Sequence, residues 1–315
     1  MRPPLPQLIQ QESAADPDLQ FARVLQEAGN VVLPLSFASE PSPPSNLSAQ
    51  PPPSFVSRAA YRAWQYQGSE SPSLPLVGSG LLAPVESIGQ SAKTLVLNEN
   101  GFLDKYIGDG VMAVYGAPLD APDHAYRACD TALQMLTALR GLQQRWEKGG
   151  LPRIDIRIGI HSGSMVVGNM GSELRFDYTV MGDGVNLASR LEGVNKEYRT
   201  QVIMSESTWE QVNDRIAARE LDVVRVKGKP ETTRIFEVLG FHPLPTAQLA
   251  MLTLFEEGLH AYRARQWGSA LHLFTQTLEK TPEDYPSQLY RERCKAYLSD
   301  PPPPDWDGVY MMQSK

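Results

Sequence analysis

The chain runs to 315 residues, enough for one to three domains and a sizeable core. Its 29 Lys and Arg against 36 Asp and Glu leave a formal net charge of -7, which argues against a nucleic-acid footprint. No run approaches the ~18 apolar residues of a membrane span, and Met1 to Pro6 opens no signal peptide. Cys129 and Cys294 lie far apart and read as separate buried thiols of a reducing cytoplasm, rather than as a disulfide or metal pair.

Pro17 to Gly29 has a helical pattern, and Asn30 to Leu35 (Asn-Val-Val-Leu-Pro-Leu) reads as a strand. Proline and serine then crowd Glu40 to Ser54 and forbid regular structure there. Pro84 to Lys93 suits a short helix. Phe102 to Gly116 holds two apolar-rich runs around Gly-Asp-Gly, a β-hairpin with Asp109 at its tip. Asp123 to Lys148 repeats alanine and leucine every three or four residues, a long helix. Ile154 to His161 alternates as a half-buried strand, and Ser164 to Asn169 and Phe176 to Met181 supply two more. Val185 to Tyr198 is a helix that Asp183 can cap, and Gln201 to Met204 returns as a strand. Ser207 and Glu210 have the spacing of a capping box for the next helix. Leu221 to Val226 and Thr233 to Leu239 form strands across the turn at Gly228 to Glu231. Leu249 to Arg265, Trp267 to Glu279 and Ser287 to Ser299 are amphipathic helices, and Pro301 to Gly308 should be extended.

Two motifs carry a family resemblance. Lys105-Tyr-Ile-Gly-Asp109-Gly in the hairpin, and Asp177-Tyr-Thr-Val-Met-Gly-Asp-Gly-Val-Asn-Leu-Ala-Ser-Arg-Leu191 further on, resemble the catalytic core of class III nucleotidyl cyclases. Those enzymes make cyclic AMP or cyclic GMP. The resemblance implies an α/β chain of the α+β kind, with an incomplete ferredoxin-like cyclase core over residues 96–240. Glu27 to Leu35 and Gly80 to Pro84 resemble parts of the CHASE-type sensor that precedes some bacterial members, so residues 1–95 read as a partial sensor segment. In such relatives the sensor is extracellular and membrane-anchored, with a cytoplasmic cyclase domain. The tail, 241–315, carries a tetratricopeptide-like pattern in Tyr262, Trp267, Ala270, Phe274, Leu278 and Pro282. One such unit reads either as a cap on the cyclase core or as a peptide-binding repeat.

The resemblance also implies chemistry. In the family the ribose 3′-hydroxyl attacks the α-phosphate and diphosphate leaves, assisted by two divalent metals, Mg2+ or Mn2+. Two aspartates hold those metals. Asp109 matches the second; taken alone it would read as a plain Asp-Gly turn. The first belongs to a Phe-x-Asp-x-x-Gly-Phe pattern, yet no aspartate occurs between Asp18 and Asp104. The text between sensor and hairpin therefore reads as an internal deletion of a strand, a phosphate-binding turn and two helices. Lys105 and Thr179 match the purine-reading pair of adenylate cyclases, donor and acceptor for an adenine edge. Asn186 and Arg190, four apart, share one helix face and match the ribose- and phosphate-facing pair. Lys227 matches a triphosphate-contacting lysine, or is a turn lysine, and His161 reads as structural. The family builds its sites between two domains, which implies a homodimer, or a heterodimer with an intact cyclase domain. The expected function is an adenylate cyclase homologue, ATP to 3′,5′-cyclic AMP plus diphosphate, lacking one metal aspartate. The alternative is a non-catalytic nucleotide-binding or dimerisation module, or a fragment without function.

Overall fold

The alternating isoleucines Ile154, Ile156, Ile158 and Ile160 are all buried and set the middle of the sheet, in strand β4 (Ile154–Ser164). The computed structural model describes residues 29–39, 79–107, 110–150, 153–172, 175–225 and 232–311. Beside β4 runs β1 (Gly29–Ser39), antiparallel to it and to β3 (Gly110–Tyr115), which pairs with β2 (Phe102–Ile107). Helix α1 (Ser79–Asn98) lies between β1 and β2 in sequence, and α2 (His124–Lys148) between β3 and β4. The order β1-α1-β2-β3-α2-β4 with strands ranked β4-β1-β3-β2 is a ferredoxin-like arrangement. The sheet continues from β4 through β7 (Val202–Ser205), β9 (Thr232–Phe241), β8 (Ile216–Arg225) and the short β10 (Tyr310–Met311). A separate hairpin joins β5 (Val166–Ser172) and β6 (Arg175–Met181). Helix α3 (Asp183–Tyr198) follows it, and α4 (Glu206–Val212) follows β7.

Two elements that precede Asn98 belong to this sheet and its core. Strand β1 is hydrogen-bonded on both sides: Leu35 lies opposite Val111 of β3 and Ile158 of β4. Proline 34 argues against a central strand, because it has no N–H to give. The ladder to β4 skips Leu33 and Pro34, while on the other side Pro34 keeps its register opposite Met112 of β3. Helix α1 is twice the expected length and buries Ile88, Ala92 and Val96, one side of the helix at four-residue spacing, in the core with α2. The expected helix from Pro17 lies outside the described residues up to Gly29, which opens β1; the proline-rich 40–54 lies outside them too.

Both expected capping arrangements also need correction. Helix α3 starts at Asp183 itself, with Gly182 before it at φ 144 and no side-chain cap. The Asp183 carboxylate sits in the first turn, where it still complements the helix dipole. Helix α4 starts at Glu206, and Ser207 instead donates to the Ser162 carbonyl at 2.7 Å.

The tail is fixed to the sheet. Helices α5 (Thr246–Arg263), α6 (Trp267–Lys280) and α7 (Tyr285–Ser299) share one buried cluster with Leu191 and Tyr198 of α3 and Leu221 and Ile235 of the sheet. These helices therefore pack on α3 and the sheet. Pro301 to Gly308 contains no helix or strand and folds back, with the Arg265 guanidinium donating to the carbonyls of Pro302, Pro303 and Pro304. Among the described residues no helix is long and apolar enough to cross a membrane.

Cys129 and Cys294 are free and buried, and burial pushes each thiol up to about 12. The native chain is expected to leave both unmodified by a disulfide thiol reagent at neutral pH, and to expose both on unfolding. Rapid labelling of the native protein would contradict this burial.

Candidate active site

Strand β2 carries a bulge just before the motif lysine, Lys105. Leu103 lies opposite Ala113 and Lys105 opposite Met112, so Asp104 is the extra residue. A bulge breaks alternation and re-aims side chains. It lets Asp104 and Lys105, neighbours in sequence, both reach Thr179 of β6. Lys105 Nζ donates to Thr179 Oγ1 at 2.8 Å, and Thr179 Oγ1 donates to Asp104 Oδ2 at 2.8 Å. Lys105 Nζ also stands 3.5 Å from the same carboxylate oxygen. The Asp104 side chain is 2% exposed and that of Lys105 43%. Burial pushes the Asp104 carboxyl above the usual carboxylate range, against the lowering effects of the Thr179 hydrogen bond and the Lys105 charge. Phe102 and Tyr178 meet edge to face at 5.4 Å and hold the two strands together alongside this contact.

Asn186 and Arg190 are both exposed on α3, one turn apart. The helix comes unusually close to β4 because of Gly159: a Cβ there would lie 2.3 Å from the Ala188 carbonyl oxygen and 2.4 Å from the Glu192 nitrogen. Buried Asn195 completes the junction by donating to the Ile158 carbonyl at 2.9 Å and accepting from Thr200 at 2.9 Å. The helix face carrying Asn186 and Arg190 is therefore set by backbone contact with the central sheet.

His161 behaves as structural. Its Nδ1 is 2.9 Å from Ser205 Oγ, in a hydroxyl cluster with Ser207 and Thr208 at the start of α4. Asp109 and Lys227 lie outside the described residues; β2 and β3 close around Ile107 opposite Gly110, with only Gly108 and Asp109 between them in sequence. Asp104 is the residue that sequence reasoning missed. Its signal was present: an acid directly before the motif lysine, where strict alternation would have aimed it at the opposite face.

Residues 85–239 match the family described as the adenylate and guanylate cyclase catalytic domain. The chain carries a class III nucleotidyl cyclase domain. Adenylate cyclase 1 of Rhizobium meliloti (strain 1021) is 39% identical over 146 residues, which is 46% of this chain and 22% of that relative. The adenylate cyclase of Anabaena cylindrica is 42% identical over 142 residues, 44% of this chain and 28% of the relative. The chain thus spans less than a third of the length of these two relatives. The solved adenylyl cyclase CyaB from P. aeruginosa superposes with a TM-score of 0.51 at 25% identity, over 68% of this chain and 95% of that one. The guanylyl cyclase Cya2 gives 0.51 at 24% identity, over 70% and 98%, a likeness of fold.

The cyclase domain's described residues leave out Asp109, the motif-matched metal ligand. Among them no three His, Cys, Asp or Glu side chains gather to hold a metal ion. Strand β1, which neighbours the hairpin strand β3, reads Gly-Asn-Val-Val-Leu-Pro-Leu-Ser-Phe-Ala-Ser and contains no carboxylate. Hard divalent cations take oxygen donors, and magnesium in nucleotide sites is held by one or two carboxylates together with substrate phosphates and waters.

Proposed function

We propose that this chain is an adenylate cyclase homologue that binds ATP, and that its family reaction is the conversion of ATP to 3′,5′-cyclic AMP and diphosphate. The observation that carries this reading is the contact of Lys105 with Thr179 at 2.8 Å. An ammonium donates and a hydroxyl oxygen accepts, which suits the ring nitrogen and exocyclic amine of adenine. Asn186 would then face the ribose. Arg190 would balance charge gathering on the phosphates, and Lys227 would contact the triphosphate. The site would lie between two cyclase domains, as a homodimer or with an intact homologue, so this chain supplies the base-reading side. Magnesium or manganese belongs to the family chemistry, but Asp109 is the one motif-matched metal ligand here. A second reading, a nucleotide-binding or dimerising module without turnover, is favoured by the absence of any carboxylate from β1.

Competition of ATP and GTP against a fluorescent ATP analogue tests the base assignment. ATP is expected to displace the analogue at lower concentration than GTP. Lys105→Ala should weaken ATP about ten-fold or more, the usual scale for a hydrogen bond to a charged group. Equal or tighter binding of GTP would show that the pair reads something else.

A further inference from the structure

We propose that Asp104 is a specificity-determining positioning residue: by holding the Thr179 hydroxyl proton, it fixes Thr179 as an acceptor toward the base. This rests on the reading of Lys105 and Thr179 as the base-reading pair.

A threonine hydroxyl has one proton and two acceptor lone pairs, and its proton rotates to suit its surroundings. Alone, such a group donates to a 6-oxo group as readily as it accepts from a 6-amino group, so it discriminates poorly. Here rotation is blocked on both sides. Lys105 Nζ has protons only and takes one lone pair of Thr179 Oγ1. On the other side Asp104 Oδ2 accepts from Thr179 Oγ1 and so takes its proton. One lone pair remains for a ligand. For a purine held with its six-membered edge against the pair, adenine matches: its amine donates to Thr179 and its N1 accepts from Lys105. Guanine in the same placement sets its O6 against the Thr179 lone pair and its N1–H against the ammonium. A hydroxyl free to turn would relieve the first of these mismatches. The Asp104 carboxylate forbids that turn.

The position of Asp104 supports a built device. It is the extra residue of the β2 bulge, and the bulge is what brings an acid adjacent in sequence to Lys105 to the same hydroxyl. Its side chain is almost wholly buried while Lys105 remains accessible, so Asp104 works through Thr179 and not on the base. Burying a carboxylate is costly without partners; Thr179 and Lys105 are the partners that hold it there.

The test is the ratio of ATP to GTP affinity for the full chain, by the same competition assay. Asp104→Ala, or Asp104→Leu should the small side chain prevent folding, frees the Thr179 proton. The ratio is expected to fall about ten-fold, mostly through tighter GTP binding, a gain that general damage to the fold cannot produce. Asp104→Asn keeps an amide oxygen able to accept that proton, and should restore most of the preference. Thr179→Val removes the hydroxyl and should lower the ratio as far as Asp104→Ala, with the double variant no lower. A folded Asp104→Ala or Asp104→Leu variant with the native ratio overturns the inference, as does an unchanged ratio in Thr179→Val. If the native chain itself binds GTP as well as ATP, the adenine reading falls first. A native preference lost in Thr179→Val but kept in Asp104→Ala leaves that reading standing and removes Asp104 from it.

Discussion

Arg219→Met is expected to destabilise the chain by about 3–5 kcal/mol, the scale for breaking a buried ion pair from one side. Arg219 is 2% exposed on β8. It lies directly across the ladder from Glu237 of β9, which it bonds through Nη2 at 2.5 Å and Nε at 3.0 Å. Its Nη1 reaches Asp284 at 2.8 Å. Asp284 is also the N-cap of α7, where it accepts from the Ser287 amide at 3.1 Å. The guanidinium plane stands 4.5 Å from the Phe255 ring of α5. One side chain therefore joins two sheet strands to two tail helices. Removing it leaves two carboxylates buried side by side without a counter-charge, and methionine fills the volume but returns no donor. A thermal melt should show the midpoint falling by about 10 °C. Neutralising the abandoned acids as well, with Glu237→Gln and Asp284→Asn, should recover part of the loss, because the penalty lies in the unpaired charges. Since the group is buried, added salt should change the difference little. A single variant melting within about 2 °C of the native chain would show that the tail is not fastened through this residue.

The same tail shows what the sequence made legible. Helices repeat their apolar residues every three or four positions, so α2, α3 and the three tail helices were recognisable from spacing alone. Their docking was not, because Arg219, Asp284, Asp222 and Arg293 are ordinary charged letters until the fold brings them together. Arg293 bonds Asp222 at 3.0 Å across 71 residues, and Tyr198 donates to the same carboxylate at 2.6 Å. The hairpin and the Lys105, Thr179, Asn186 and Arg190 set were legible as motif text. Asp104 was not, because strict alternation excludes it and only the bulge admits it. Strand β1 was legible as a strand but not as the middle of the sheet. Its proline argued for an edge, and what places it centrally is the gap between β3 and β4 that an apolar run can fill from both sides.

The purified chain alone, with magnesium or manganese, is expected to form cyclic AMP orders of magnitude more slowly than an intact homologue. The reason lies in the filled sheet. Strand β1 runs antiparallel beside the hairpin strand and meets Val111 through Leu35, so its next residues, Ser36 to Ser39, continue toward the hairpin's end. The strand offers only serine, phenylalanine and alanine at these positions, and no carboxylate to hold a metal there. A serine hydroxyl can offer a cation an oxygen but brings none of the negative charge of a carboxylate. The proposed half-site, Lys105 and Thr179 with Asn186 and Arg190, is present in the sequence all the same. Mixing this chain with an intact homologue whose own base-reading lysine or helix arginine has been mutated should therefore restore turnover, since each domain then supplies what the other lacks. Arg190→Ala in this chain should abolish that rescue, because a transition-state donor is worth about two to three orders of magnitude in rate. Cyclic AMP measured from the chain alone, from the mutated homologue alone and from the mixture decides the matter. Strong metal-dependent turnover by the chain alone, lost in Asp109→Ala, would show that β1 needs no carboxylate. ATP binding without rescue in the mixture would leave a nucleotide-binding module that does not pair with an intact cyclase.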